Sequence, residues 1–91
     1  MIANYRKKPV VIEADQLTND EAAHRIVLWI TAASNQKAHW DNEGILVQTL
    51  ETPEGGSWQR CGWGSWIIKG IAGEFYPCED SIFKATYDPA Q

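Results

Sequence analysis

The chain has no apolar run near the roughly 18 residues that a membrane-spanning helix needs, and no signal-peptide architecture at its amino end. Both absences predict a soluble, cytoplasmic protein. Cysteine is scarce. Cys61 and Cys78 stand alone, with no Cys-x-x-Cys pair, so free thiols are expected. A zinc site would have to gather Cys61, Cys78, His24 and His39 from scattered places. Positive charge is also short: 8 Lys and Arg against 12 Asp and Glu leave a formal charge of −4. That excludes the basic footprint of a non-specific DNA-binding protein. No Walker loop, dinucleotide fingerprint or histidine-pair metal motif occurs, so no cofactor is implied.

Aromatic residues, in contrast, are plentiful. Five Trp, three Tyr and two Phe fall within 91 residues, a length that makes one domain with no room for a second core. Each large ring buries about 150–250 Å², so a few close a core of this size. Most of them are expected inside. One or two are left for an oligomer interface or a ligand pocket, where Trp and Tyr are favoured.

Pro9 to Leu17 alternates in part, with Val10, Ile12 and Ala14 against Val11, Glu13 and Asp15, which predicts a half-buried strand led by the solvated cluster Arg6-Lys7-Lys8. Thr18-Asn19-Asp20-Glu21 matches a capping box, with the Thr18 hydroxyl facing the Glu21 amide. Ala22, Ala23, Ile26, Val27, Ile30 and Ala33 then fall at helical spacing, opposite a polar face of Asp20, His24, Arg25 and Thr31, and Ser34-Asn35 ends the helix. Gln36 to Trp40 is ambiguous between loop and short strand. Asp41 to Gly44 has turn chemistry, Ile45 to Leu50 is a strand, Thr52 to Gly56 a loop, and Ser57 to Cys61 the returning strand. Gly62 and Gly64 bend the chain around Trp63.

The carboxyl half contains a second hairpin. If Gly70 to Gly73 is a four-residue loop, Lys69 lies opposite Glu74, Ile68 opposite Phe75, Ile67 opposite Tyr76 and Trp66 opposite Pro77. One face then collects Trp66, Ile68 and Phe75 against the helix, and the other Ile67, Tyr76 and a Lys69–Glu74 pair. Glu79 to Lys84 follows as a capped helical turn, with Asp80 or Ser81 as the cap, and Ala85 to Tyr87 adds an edge strand. The expected class is α+β: a curved antiparallel sheet packed by one main amphipathic helix, with a short helical turn near the carboxyl end.

Two segments carry a family resemblance. The opening Tyr5-Arg6-Lys7-Lys8-Pro9-Val10-Val11-Ile12-Glu13-Ala14 and the closing run from Gly64 to Cys78, with Ile82-Phe83 and Thr86-Tyr87 beyond it, resemble a family of small proteins of tailed bacteriophages and prophages. The middle, from about Thr18 to Gly62, carries no usable similarity. Where that family has Gly-Asp-Trp or Gly-Asp-Tyr, this chain has Gly64-Ser65-Trp66, and Ser65 keeps the turn-forming acceptor without the charge. The resemblance implies a phage or prophage origin, a place in the host cytoplasm and no assigned activity or catalytic residues. It also implies a role exerted on the host by binding: inhibiting a defence protein or sequestering a signalling nucleotide.

For catalysis the candidates are His24, His39, Cys61, Cys78 and scattered carboxylates. His39 beside Asp41 is the most suggestive, because a carboxylate can orient an imidazole. For binding, Trp63, Trp66 and Tyr76 offer rings on which a base can stack, and Arg60 and Lys69 offer charge for phosphate. The same five also read as an aromatic core with a surface ion pair. A third reading is protein interaction through sheet edges and rings, either in a homodimer or on a host or virion partner. The sequence therefore predicts a non-enzymatic binding protein, expected to be a homodimer, whose partner is a nucleotide or a host protein.

Overall fold

The computed structural model describes residues 1–49 and 56–90, which form β1 (Glu13–Gln16), α1 (Asp20–Ala33), β2 (Ala38–Asp41), β3 (Gly44–Gln48), β4 (Trp58–Cys61), β5 (Trp66–Lys69), β6 (Phe75–Cys78) and α2 (Asp80–Thr86). Leu50 and most of the predicted Thr52 to Gly56 loop lie outside the described residues. Strands pair antiparallel in two three-stranded sheets, β1-β5-β6 and β2-β3-β4. The fold is α+β, with one main amphipathic helix and a short one near the carboxyl end.

Helix α1 begins one residue later than a Thr18 cap requires. Asn19 is the cap, its Oδ1 accepting from the Ala22 N–H at 2.8 Å, which satisfies one of the free amides of the first turn. The helix buries Ala22, Ala23, Ile26 and Ile30. These join Leu17, Ile45, Val47, Cys61, Ile67 and Phe75 in a core enclosed by α1 and the inner faces of both sheets. Trp29 closes it edge-on to Phe75, ring centroids 4.8 Å apart.

The closing hairpin adopts a register one residue away from the four-residue-loop expectation. Lys69 lies opposite Phe75, Ile68 opposite Tyr76, Ile67 opposite Pro77 and Trp66 opposite Cys78. The loop is Ile71-Ala72-Gly73: the Gly70 N–H donates to the Glu74 carbonyl, and Gly73 takes a φ of +86° that favours glycine. Consequently Ile67 and Phe75 share the core face, while Trp66, Ile68 and Tyr76 share the other. No Lys69–Glu74 pair forms; Lys69 reaches Glu13 on β1 at 3.7 Å. The predicted edge strand at Ala85 to Tyr87 is instead the end of α2, where the Tyr87 N–H donates to the Phe83 carbonyl.

One buried side chain joins the two sheets. Gln36, 4% exposed, accepts the Phe75 N–H at 2.7 Å and donates from Nε2 to the Phe75 carbonyl at 2.9 Å and the Gln48 carbonyl at 2.8 Å. Gln36→Leu strands those backbone groups and should cost about 3 kcal/mol in denaturant unfolding. Gln36→Glu keeps the acceptor but has no donor when ionised, and protonation returns one. Its deficit should therefore shrink as the pH falls, whereas the Gln36→Leu deficit stays constant.

Candidate functional site

Apart from Trp29 and Phe75 in the core and Trp40, which meets His24 of α1 at 5.7 Å, most rings gather in two places. On the β1-β5-β6 sheet, the face turned away from the core is covered by α2. Trp66 stacks on Phe83 with centroids 3.9 Å apart and planes 6° from parallel, and Phe83 continues to Tyr87 at 5.1 Å. The Trp66 Nε1–H donates to Asp80 Oδ1 at 2.9 Å, Gln16 donates to the same oxygen at 3.4 Å, and Lys84 holds the other oxygen at 3.1 Å. These contacts fasten a helix that has no fully buried residue of its own. Beside this stack a groove of about 770 Å³ opens, with Val10, Ile12, Trp66, Phe83 and Tyr87 along its walls.

The second place is the outer face of the β2-β3-β4 sheet. Pairing puts His39, Leu46 and Arg60 in one row, with Gln48 and Trp58 beside them and Asp41 at the turn. The inner face of the same strands carries Ile45, Val47 and Cys61 into the core. Between β2 and β3, Gly44 has φ +118°, and a Cβ there would run into the Cys61 carbonyl oxygen, so this tight turn is specific to glycine. Arg60 grips Asp41 through two nitrogens at 2.5 and 3.1 Å and reaches Glu43 at 3.6 Å. Trp63 donates its Nε1–H to the Asn42 carbonyl of the same turn at 2.9 Å. His39 lies 5.3 Å from the ring of Trp58.

The five residues predicted to bind ligand are therefore distributed rather than convergent. Arg60 and Trp63 meet at the β2–β3 turn, Trp66 and Tyr76 face α2, and Lys69 lies at the end of β5 against Glu13. Trp58, which the sequence reading did not single out, belongs with Arg60. Its signal was the alternation Trp58-Gln59-Arg60-Cys61, which sends Cys61 inward and Trp58 and Arg60 outward.

Charge follows from these contacts. The Arg60 guanidinium, first through hydrogen bonding, holds the Asp41 carboxyl below its ordinary range, with the Glu43 N–H adding to the effect. No hydrogen bond joins Asp41 to His39 among the described residues, so the imidazole lacks the orienting carboxylate that the sequence suggested. Burial pushes the Cys61 thiol up to about 12 and raises Cys78 as well, so neither is an activated thiolate. Tyr76 rises to about 12, chiefly through burial and then through its hydrogen bond with Tyr87. No group of three His, Cys, Asp or Glu side chains is placed to hold a metal among the described residues, and no helix there is long and apolar enough to cross a membrane.

Comparison of the chain with protein-family models, curated proteins and solved structures finds no match in any of the three.

Asp80 provides an acid-sensitive handle on α2. Its carboxyl is held below the ordinary range by the Trp66 indole first and Lys84 second. A lowered folded value means the stabilisation is complete above the unfolded value near 3.9 and is lost as pH falls through the folded one. Tryptophan fluorescence should report release of α2 in that acid range. Asp80→Asn, which keeps an acceptor without titrating, should flatten that part of the profile.

Proposed function

We propose that this chain is a non-enzymatic binding protein that occupies a partner protein through the outer face of the β2-β3-β4 sheet. The observation that carries the reading is a sheet face with no covering layer among the described residues, bearing Trp58 at 45% exposure and Arg60, with Trp63 at 41% exposure against the adjoining β2–β3 turn. Trp and Arg are the residue types that dominate binding energy at protein interfaces, and antiparallel sheets usually turn a polar face to water. The resemblance of the opening and closing segments to tailed-phage proteins supports a host protein as the partner, met in the host cytoplasm during infection.

A phosphate-bearing nucleotide is the less favoured ligand for a physical reason. Arg60 is already divided between Asp41 and Glu43, and Lys69 is paired with Glu13. Either cation would have to leave a carboxylate to take a phosphate. The stacked face of Trp66 is likewise occupied by Phe83.

The test compares the intact chain with Trp58→Ala and Trp63→Ala in pull-downs from bacterial lysate, followed by affinity measurement on the captured protein. Loss of a central Trp should weaken binding by about 2 kcal/mol, roughly 30-fold. Capture that survives both substitutions refutes the face. A thermal shift with any member of a nucleotide panel would move the reading to sequestration, and tight incorporation into purified phage particles would move it to virion structure.

A further inference from the structure

We infer that the segment Arg6 to Asp15 is a self-recognition strand, through which two copies pair antiparallel across a two-fold axis at Val11. Three observations converge on it. First, β1 is the outer strand of its sheet, with β5 on one side and, among the described residues, no strand on the other. Residues 9–12 precede the last β1–β5 pair, Glu13 with Lys69, just where the β5–β6 hairpin turns back. Among the described residues no backbone hydrogen bond reaches them. They are Pro-Val-Val-Ile, β-branched and apolar, yet Val11 is 78% exposed. An unpaired run of this composition is a template for another strand.

Second, the direction of the free backbone groups selects the register. Leu17 donates to Ser65 and accepts from Gly64, so its polar groups point toward β5. Carrying the alternation of β1 back through residues 8–12 would point Pro9 and Val11 the same way as Glu13 and Asp15, leaving Lys8, Val10 and Ile12, with Ala14, to offer their groups to the open edge. The missing N–H of Pro9 therefore costs the edge no donor. Two antiparallel copies related by an axis normal to the sheet keep like faces together. With the axis at Val11, Val10 exchanges hydrogen bonds with the partner's Ile12, Lys8 with the partner's Ala14, and the two Val11 side chains meet in a close non-hydrogen-bonded pair.

Third, the charges are self-complementary only in that sense. Residues 1–12 contain no acid, and all twelve acids lie beyond them. Arg25, Arg60, Lys69 and Lys84 each already hold a carboxylate within 4.0 Å, so Arg6-Lys7-Lys8 is the main reserve of unpaired positive charge. Antiparallel pairing about Val11 sets Lys7 across from the partner's Asp15 with the partner's Glu13 diagonal to it, while parallel pairing would set cation against cation. In one protomer Lys7 rests over the Tyr87 ring at 5.3 Å, an exposed contact that pairing exchanges for a place beside the partner's Asp15 and Glu13, where it joins Arg25 and Lys69 around two carboxylates they already hold. Val10 and Ile12 wall the groove beside Trp66, so the partner's Val10 and Ile12 would extend its apolar wall.

Sedimentation of the full chain should show a concentration-dependent monomer–dimer equilibrium. Val11→Lys, which sets two like charges face to face at an exposed position, should abolish the dimer while leaving the circular dichroism unchanged. Lys7→Glu should weaken it about ten-fold, and added salt should weaken it too. In a Cys78→Ser background, Val11→Cys should cross-link two chains on mild oxidation, because the paired Cβ atoms fall within disulfide reach. A chain that stays monomeric at the highest soluble concentration overturns the proposal. So does a dimer that survives Val11→Lys, or one that fails to cross-link through Val11→Cys.

Discussion

The amide of Gln36 is the contact on which the two-sheet arrangement turns. It lies just after α1, where Ser34 ends the helix by donating to the Ile30 carbonyl and accepting the Gln36 N–H. From that point its three hydrogen bonds reach both backbone groups of Phe75 on β6 and the carbonyl at the end of β3. A buried primary amide can do this because it presents an acceptor and two donors in one plane. No aliphatic residue of that volume could satisfy the same groups, and a carboxylate would meet two carbonyl oxygens with a negative charge. The apolar core supplies most of the stabilisation by area, but it is non-directional. The amide is what fixes how the end of one sheet is set against the other, and therefore where Phe75 enters the core.

The covering of β5 and β6 on both faces explains why the hairpin register was hard to read. Lys69 and Glu74, placed opposite each other, predict one face of the hairpin turned to water. In the structure α1 and the β2-β3-β4 sheet lie on one side and α2 on the other, so Ile67 and Ile68 are both buried. When both faces are apolar, alternation no longer distinguishes one register from its neighbour. The decision passes to the loop, where Gly73 at positive φ closes a three-residue connection. Lys69 tolerates its place beside Phe75 because it stands at the strand end, 30% exposed, and can turn to Glu13.

The legible parts of the chain share a physical reason. The main helix is periodic over four turns, and α1 appears where Ala22 to Ala33 predicted it. The turns at Asp41 to Gly44 and around Gly64 carry glycines with positive φ, and turn chemistry announces itself locally. What was hidden depends on distant partners. The capping box favoured Thr18, but only Asn19 is placed to accept from Ala22. Nothing near Gln36 signals that its partners lie 12 and 39 residues away. The candidate binding residues share only their types, aromatic or basic, and types do not report convergence. The sheet pairing sends Arg60 to one surface and Trp66 to another.

Ion pairing also constrains which partners this acidic chain can accept. A cation bound to carboxylates of its own chain is a poor capture site for phosphate, since the exchange swaps one charge-assisted hydrogen bond for another and leaves the abandoned carboxylate unpaired beside the incoming negative charge. Four of the five cations beyond the opening segment are in that condition. The same pairing is compatible with a protein surface, where an Arg60–Asp41 unit presents donors and acceptors together and the neighbouring indoles contribute apolar area. The free cations are concentrated ahead of β1 instead, adjoining an unpaired β-branched run. The two proposed contacts, with a foreign protein and with a second copy, thus draw on different surfaces, one built from rings on a finished sheet and the other from an unfinished strand.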